Sequence, residues 1–165
     1  IRDTDRSRGL GDVYKRQYGH WSAGRYFTTF NDYHFNVDGD GEIIYTRPLD
    51  EVPRATWHRN TGSIAIALCC CYNARPDDLG EYPPTEAQIE TLAKMFAVIA
   101  EVFDNPIDRE HFMTHGEAAN DDGYGLYSGD PDCRWDLEQL CDQDEIGTGG
   151  DILRGKAQWY LENGV

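Results

Sequence analysis

The sequence has no apolar run approaching the ~20 residues that a membrane-spanning helix requires, so we expect no membrane-spanning segment. It is also poor in positive charge, with 15 basic side chains against 30 acidic ones and a net charge of -15. Affinity for nucleic acids depends on lysines and arginines that neutralise phosphates. The charge balance therefore argues against DNA, RNA and anionic membrane surfaces as partners.

Evenly spaced cysteines, which mark small disulfide-stapled secreted domains, are also absent. Three of the five cysteines are consecutive, at residues 69–71, within a nearly unbroken apolar run over residues 63–72. Gly62 and Asn73 bound this run, whose length is typical of a strand buried on both faces. We therefore expect a central strand here, and cysteines that are reduced and mostly buried.

Two helices are predicted after this strand. Thr85 caps the first, Gln88 completes a capping box three residues later, and residues 105–106 (NP) end the helix. Its apolar stripe consists of Ile89, Leu92, Phe96, Ile99 and Phe103. The second helix is expected to begin at Asp151 as its N-cap and to end before Gly164.

A hairpin completes the predicted elements. Residues 33–37 and 42–46 are β-prone runs around residues 38–41 (DGDG), and Asp-Gly steps favour the positive φ of a tight turn. Strands mixed with helices around a buried strand indicate an α/β protein. A chain of 165 residues fits one compact domain. We therefore expect a single α/β domain with a central mixed β-sheet flanked by helices.

The first seventeen residues differ from the rest of the chain. Residues 1–17 are rich in Arg and Asp and show no helical or strand periodicity, so they predict no packed element. Residues 9–17 (GLGDVYKRQ) resemble translated sequencing-adaptor sequence, which is excluded from fold reasoning. We expect a non-native segment over residues 1–17, with the native N-terminus and any signal peptide missing, and a domain over residues 18–165.

Two histidines and one carboxylate are candidate metal ligands. His20 lies in a small-residue segment, and His115 leads into a predicted long loop over residues 120–132, rich in Gly and Asp. Long irregular segments in compact domains are usually functional or disordered. Asp136 follows this loop. Two imidazoles and one carboxylate brought together by a fold form a zinc site with an open fourth position for water. This hypothesis predicts a hydrolase.

From about Tyr18 to its C-terminus, the chain resembles the zinc-dependent N-acetylmuramoyl-L-alanine amidases, which include bacterial cell-wall amidases, phage endolysins and peptidoglycan recognition proteins. Six motifs in the family's order carry the resemblance. They are residues 19–24 (GHWSAG), 32–35 (DYHF), 60–66 (NTGSIAI), 84–88 (PTEAQ), 114–119 (THGEAA) and 134–136 (RWD).

The resemblance implies a zinc ion held by His20, His115 and a third residue near the end of the loop. The family places a basic residue two positions before this ligand, and Arg134 fits that spacing with Asp136 as the ligand. Cys133 is the alternative, since thiolate binds zinc well and some family members use cysteine. The histidines that we expect not to bind the metal are His34, His58 and His111.

The resemblance also implies candidate catalytic residues. Tyr33 matches a family tyrosine near the zinc-bound water, and its alternative role is that of a strand tyrosine packed on the sheet. Arg134 stands where many relatives carry lysine, and its permanent charge can stabilise an oxyanion but cannot shuttle a proton. Some relatives carry a glutamate base on the central strand, where this sequence has Ala67. Glu117 is a candidate for proton transfer by its nearness to His115, or a structural carboxylate.

The function implied by the resemblance is hydrolysis of the amide between N-acetylmuramic acid and L-alanine in peptidoglycan. Such an enzyme acts on the bacterial cell wall from the periplasm, from outside the cell or after delivery by a phage, and we expect a monomer. Trp21, Trp57 and Tyr124 are expected to line the substrate groove. The alternative is a module of the same fold that binds peptidoglycan without cleaving it.

In this family an apolar strand leads into the first zinc histidine. Residues 12–17 contain no such run. We therefore expect the sheet to lack one strand and His20 to be poorly fixed.

Overall fold

A computed structural model describes residues 14–165 of the chain. Within this part, five strands form one mixed sheet in the order β3-β2-β4-β1-β5. The strands are β1 (Arg16–Trp21), β2 (Phe35–Val37), β3 (Ile43–Tyr45), β4 (Ser63–Leu68) and β5 (Phe112–Thr114). Only β3 runs antiparallel to its neighbour, so β1, β2, β4 and β5 end at the same edge. The helices are α1 (Glu86–Phe103), α2 (His115–Asp122) and α3 (Gly149–Asn163). The α/β class and the mixed sheet are confirmed.

The expectation that the sheet lacks the strand before His20 is wrong. β1 begins at Arg16 and is paired on both sides, with β4 along its whole length and with β5 from Gln17. The Gln17 side chain is buried, and its amide nitrogen donates to the carbonyl oxygen of Tyr14. Pairing with the two neighbouring strands holds β1 in place, although the residues of β1 show no apolar pattern. The origin of residues 1–17 stays a prediction, and residues 1–13 lie outside the described part.

The elements predicted from local patterns are present. β4 is buried along its length in the middle of the sheet but ends at Leu68, short of the predicted run over residues 63–72, and the three cysteines that follow it are buried and free. Cys133 is half-buried and Cys141 is exposed. Both halves of the capping box at Thr85 and Gln88 are formed at the start of α1. The hairpin forms with β2 and β3 shorter than predicted, and Gly41 has a φ of 85° in the turn.

Helices cover both faces of β1. Successive side chains of a strand point to opposite faces, so Gly19 and Tyr18 face different helices. A Cβ atom at Gly19 would lie 3.3 Å from Leu92 and 3.4 Å from Phe96, so α1 packs closely over β1 at this glycine. On the other face, Tyr18 packs with Met113 of β5 and Ala118 of α2. Among the described residues, no helix is both long and apolar enough to cross a membrane.

Two helix boundaries differ from the predicted ones. α3 begins at Gly149 after Thr148, so Asp151 lies in its first turn and is not its N-cap. α2 was not predicted, and its last residues occupy the start of the predicted loop over 120–132. Thr114 and Glu117 form a capping box at the start of α2. The Thr-x-x-Glu spacing is the sequence pattern by which this helix could have been predicted.

Candidate metal centre

The three predicted ligands come from separate elements at one edge of the sheet. His20 is near the carboxyl end of β1, His115 is the first residue of α2 directly after β5, and Asp136 lies between α2 and α3. β1 and β5 are parallel neighbours, so their carboxyl ends place the two histidines side by side. Ligand sites of α/β sheets form at this edge.

The three side chains converge on one point. Nδ1 of His20 lies 3.2 Å from Nδ1 of His115. Oδ2 of Asp136 lies 3.3 Å from Nδ1 of His115 and 3.6 Å from Nδ1 of His20. Ligand atoms bound to zinc at about 2.0–2.1 Å in tetrahedral geometry lie about 3.3 Å apart. The observed spacing and the nitrogen and oxygen donors therefore fit a zinc ion with one open position. Among the described residues 14–165, no other group of three or more His, Cys, Asp or Glu side chains lies close enough together to hold a metal ion.

Burial and the contacts within the group together set its charge. His20, His115 and Asp136 are 0%, 6% and 5% exposed. Burial lowers the pKa of His20 to about 4, although its hydrogen bond to Asp136 opposes this shift. Burial disfavours the charged carboxylate of Asp136, but the His115 and His20 imidazoles hold its pKa below the ordinary value. A neutral imidazole and an ionised carboxylate are the forms that bind metals.

Each imidazole also contacts a hydroxyl on its far side. Nε2 of His20 lies 3.3 Å from Oγ1 of Thr56, and Nε2 of His115 lies 3.3 Å from the hydroxyl oxygen of Tyr124. Thr56 lies in the connection between β3 and β4, and Tyr124 follows α2. Thr56 carried no signal in the sequence analysis, because a single threonine in a polar loop matches no motif.

Two predicted catalytic residues lie beside the metal-binding group. The ring of Tyr33 is half-buried, with its centroid 5.1 Å from that of His20. Burial raises the pKa of the Tyr33 phenol, so it stays protonated at neutral pH. Arg134 is exposed at the mouth of the site, and its Nη1 donates to the carbonyl oxygens of Asp132 and Cys133.

Glu117 is not brought to the metal-binding group. Its carboxylate oxygens accept hydrogen bonds from Nη1 and Nη2 of Arg154, both at 2.7 Å, and Oε1 also accepts from the backbone N–H of Thr114. Arg154 further donates to the carbonyl oxygen of Phe112, so it ties α3 to β5 and to the start of α2. This buried ion pair supports the structural alternative for Glu117.

Two adjoining clefts open onto the centre. The first, of about 560 Å³, is lined by residues including Trp21, Tyr33, Cys133 and Asp136. The second, of about 640 Å³, is lined by residues including Trp57 and Tyr124. Both clefts share four lining residues, which are Arg54, Ala55, His115 and Arg134. The three aromatic residues predicted for a groove therefore lie in the walls of these clefts.

The remaining histidines lie outside the group of three. His34 is buried, and its Nδ1 accepts from the backbone N–H of Ala65. His58 stacks on Trp57 with the ring centroids 3.8 Å apart. Nδ1 of His111 lies 2.6 Å from Oδ1 of Asp108.

Two solved structures share the fold of this chain. The Ph2119 endolysin from Thermus scotoductus MAT2119 bacteriophage Ph2119 is 14% identical, with 93% of this chain and 95% of that chain covered and a TM-score of 0.53. The E90A mutant of PlyL is 17% identical, with 88% and 86% covered and a TM-score of 0.52. At these identities the likeness shows the fold alone. The molecule is an α/β domain with the same fold as these two proteins and a His-His-Asp group at its sheet edge.

The family follows from the sequence. The family model described as N-acetylmuramoyl-L-alanine amidase matches residues 5–131, and the chain belongs to this family. The matched span contains His20, Tyr33 and His115, whereas Arg134 and Asp136 lie beyond its end. A comparison with curated proteins found no match.

Proposed function

We propose that this chain is a zinc-dependent hydrolase that cleaves the amide bond between N-acetylmuramic acid and L-alanine in peptidoglycan. One observation carries the proposal: the ligand atoms of His20, His115 and Asp136 lie 3.2–3.6 Å apart in a buried group of a chain that belongs to the amidase family. We further propose that the bacterial cell wall is its site of action and that it works as a monomer.

The side chains around the group suit hydrolysis of an amide. A zinc ion held there would lower the pKa of a bound water to about 7 and so supply a nucleophile at neutral pH. We assign to Arg134 the stabilisation of the negative charge that develops on the amide oxygen, because its guanidinium stays charged and lines both clefts. A well-placed donor of this kind contributes roughly 3 kcal/mol.

We assign to Tyr33 a hydrogen bond that orients the attacking water or a proton that is passed to the leaving amine. The phenol is protonated because burial raises the pKa of Tyr33, and it lines the first cleft beside His20. The acceptor of the water's proton is not assigned to Glu117, since Arg154 and Thr114 occupy its carboxylate. Ala67, which pairs with His20 in the sheet, has no ionisable group.

The clefts provide room for the two parts of the substrate. Aromatic side chains stack on sugar rings, and Trp57 is exposed at the wall of the second cleft. The first cleft contains Trp21 and Trp135, packed edge to face with ring centroids 4.5 Å apart. We propose that the glycan strand and the peptide stem occupy these adjoining clefts on either side of Arg54 and Arg134.

The test is a paired measurement on purified protein. Bound zinc is determined by elemental analysis, and free peptide released from bacterial cell walls is followed by mass spectrometry. We expect about one zinc per chain and new L-alanine amino termini, both lost in His115→Ala. Folded protein without zinc and without peptide release contradicts the proposal. Zinc-loaded protein that sediments with cell walls and releases no peptide supports the alternative, a module that binds peptidoglycan without cleaving it.

A further inference from the structure

Both histidines of the metal-binding group are oriented in the same way. Each uses Nδ1 to face the point where the three ligand atoms converge and Nε2 to face a hydroxyl. Thr56, beside His20, is 1% exposed, and Tyr124, beside His115, is 9% exposed. The two hydroxyl contacts are equal in length, at 3.3 Å.

These contacts bear on which ring nitrogen of each histidine carries the proton. A neutral imidazole carries one proton, and a nitrogen that binds a metal must offer a free lone pair. If Nδ1 binds, the proton resides on Nε2 and requires an acceptor. His20 is fully buried, so solvent does not reach its Nε2, and Oγ1 of Thr56 is the acceptor in place. The hydroxyl of Tyr124 stands in the same relation to His115.

We propose that Thr56 and Tyr124 are positioning residues, which hold His20 and His115 in the tautomer with the proton on Nε2 and thereby set the affinity of the centre for zinc. This inference rests on the proposed zinc site. Outer partners of this kind orient the ring and raise its basicity, and their loss typically lowers metal affinity about 10- to 100-fold.

The loop that carries Thr56 is rigidly anchored. Oδ1 of Asn60 accepts hydrogen bonds from the backbone N–H groups of Ala55 and Thr56, at 2.9 and 2.8 Å. Arg59 forms a two-pronged ion pair with Asp122 of α2, at 2.7 and 2.9 Å. These bonds tie residues 54–60 to the helix that begins with His115, so the hydroxyl of Thr56 is held in place before any ligand binds.

Tyr124 is held by the same part of the molecule. Its backbone N–H donates to the carbonyl oxygen of Ala119 at 2.9 Å, directly after the left-handed residue Gly123 that ends α2. The ring of Trp57, next to Thr56 in sequence, meets the Tyr124 ring edge to face at a centroid distance of 5.7 Å. The two hydroxyls therefore belong to one packed unit, which keeps both imidazole rings oriented.

The decisive variants remove or restore single hydroxyls. Thr56→Val keeps the shape of the side chain and lacks the hydroxyl, Thr56→Ser keeps the hydroxyl, and Tyr124→Phe removes the other one. Zinc affinity is measured by competition with a chelator. We expect Thr56→Val and Tyr124→Phe each to bind zinc about 10- to 100-fold more weakly and Thr56→Ser to bind close to the wild-type affinity. Thr91→Val and Tyr160→Phe, whose hydroxyls donate to Gly41 and Glu90, serve as controls with unchanged affinity.

A second measurement requires no activity. ¹H–¹⁵N spectra of the zinc-loaded protein report the chemical shift of the Nε2–H proton of each histidine, which moves downfield when the proton is hydrogen-bonded. We expect downfield Nε2–H protons for His20 and His115 in the wild type, and an upfield shift at His20 in Thr56→Val and at His115 in Tyr124→Phe. Unchanged Nε2–H shifts, or unchanged zinc affinity, in folded Thr56→Val and Tyr124→Phe overturn the inference.

The two proposals fail in different ways. If the wild type binds zinc but releases no peptide, the proposed function fails, and the zinc affinities of the hydroxyl variants still decide the positioning role. If the wild type binds zinc and releases peptide while the hydroxyl variants keep the wild-type affinity, only the positioning role fails. Should Thr56→Val not fold, the zinc affinity of Tyr124→Phe and its Nε2–H shift at His115 provide the answer.

Discussion

The two candidates for the third ligand, Asp136 and Cys133, are three residues apart and differ in burial. Asp136 is buried with its Oδ2 3.3 Å from Nδ1 of His115, whereas Cys133 is half-buried in the wall of the first cleft. We predict that Asp136→Asn loses zinc on desalting, because the amide is neutral and a weaker ligand than a carboxylate. Cys133→Ala keeps about one zinc per chain. Elemental analysis of both variants checks this, and the opposite pattern would assign the site to the cysteine.

Glu117 and Arg154 form a buried ion pair whose loss acts on stability. Removing one partner of a buried pair costs about 3–5 kcal/mol when the other charge is left unpaired, and without Glu117 the buried Arg154 would keep, among residues 14–165, only the exposed Asp151 as a charged partner. We predict that Glu117→Gln lowers the free energy of unfolding by about 3 kcal/mol in urea titrations. Asp151→Asn serves as the matched control, since the same arginine pairs with this carboxylate, which is 84% exposed, and its loss costs less than about 1 kcal/mol.

The activity of Glu117→Gln separates its two possible roles. If Glu117 is a structural carboxylate, the folded and zinc-loaded fraction of the variant keeps near-normal turnover. A stable, zinc-loaded Glu117→Gln protein that cleaves no substrate would instead make Glu117 the proton-transfer group.

At the scale of elements, the start of α3 is determined by close packing. A Cβ atom at Gly149 would overlap the carbonyl oxygen of Leu137, whereas one at Gly155 would meet no atom within 4 Å. We predict that Gly149→Ala destabilises the fold by about 3 kcal/mol, because backbone must move to make room. Gly155→Ala is expected to stabilise it by up to about 1 kcal/mol, since alanine favours the helix. Thermal unfolding of both variants provides the measurement, and similar shifts in the two would refute this packing account.

The elements differ in how far their own residues specify them. Thr85 and Gln88 start α1 through bonds made within four residues, so the sequence pattern was sufficient. β1 shows the opposite case: β4 pairs with Arg16 and Gln17, β5 pairs with Gln17, and no local pattern records this pairing.

At the scale of the whole molecule, charge repulsion opposes folding. The 30 acidic side chains exceed the 15 basic ones, so even complete pairing leaves fifteen acidic groups without a basic partner. Screening such repulsion favours the compact state, and the Debye length falls from about 30 Å at 0.01 M salt to about 3 Å at 1 M. We predict that the melting temperature of the metal-free protein rises by about 2–4 °C between 0.02 and 0.5 M NaCl. Differential scanning calorimetry with a chelator present tests this, and a flat or falling melting temperature would contradict it.

The sequence by itself determined the class of fold, the buried central strand, the capped helix and the motifs that contain His20, Tyr33 and His115. These features depend on periodicity, turn residues and caps, which act over a few neighbouring residues. Only the tertiary structure decided that β1 is complete, that Glu117 pairs with Arg154, and that Thr56 and Tyr124 face the two histidines. Most of these contacts join residues far apart in the chain, and they form only when the parallel strands and their connections pack together at the sheet edge.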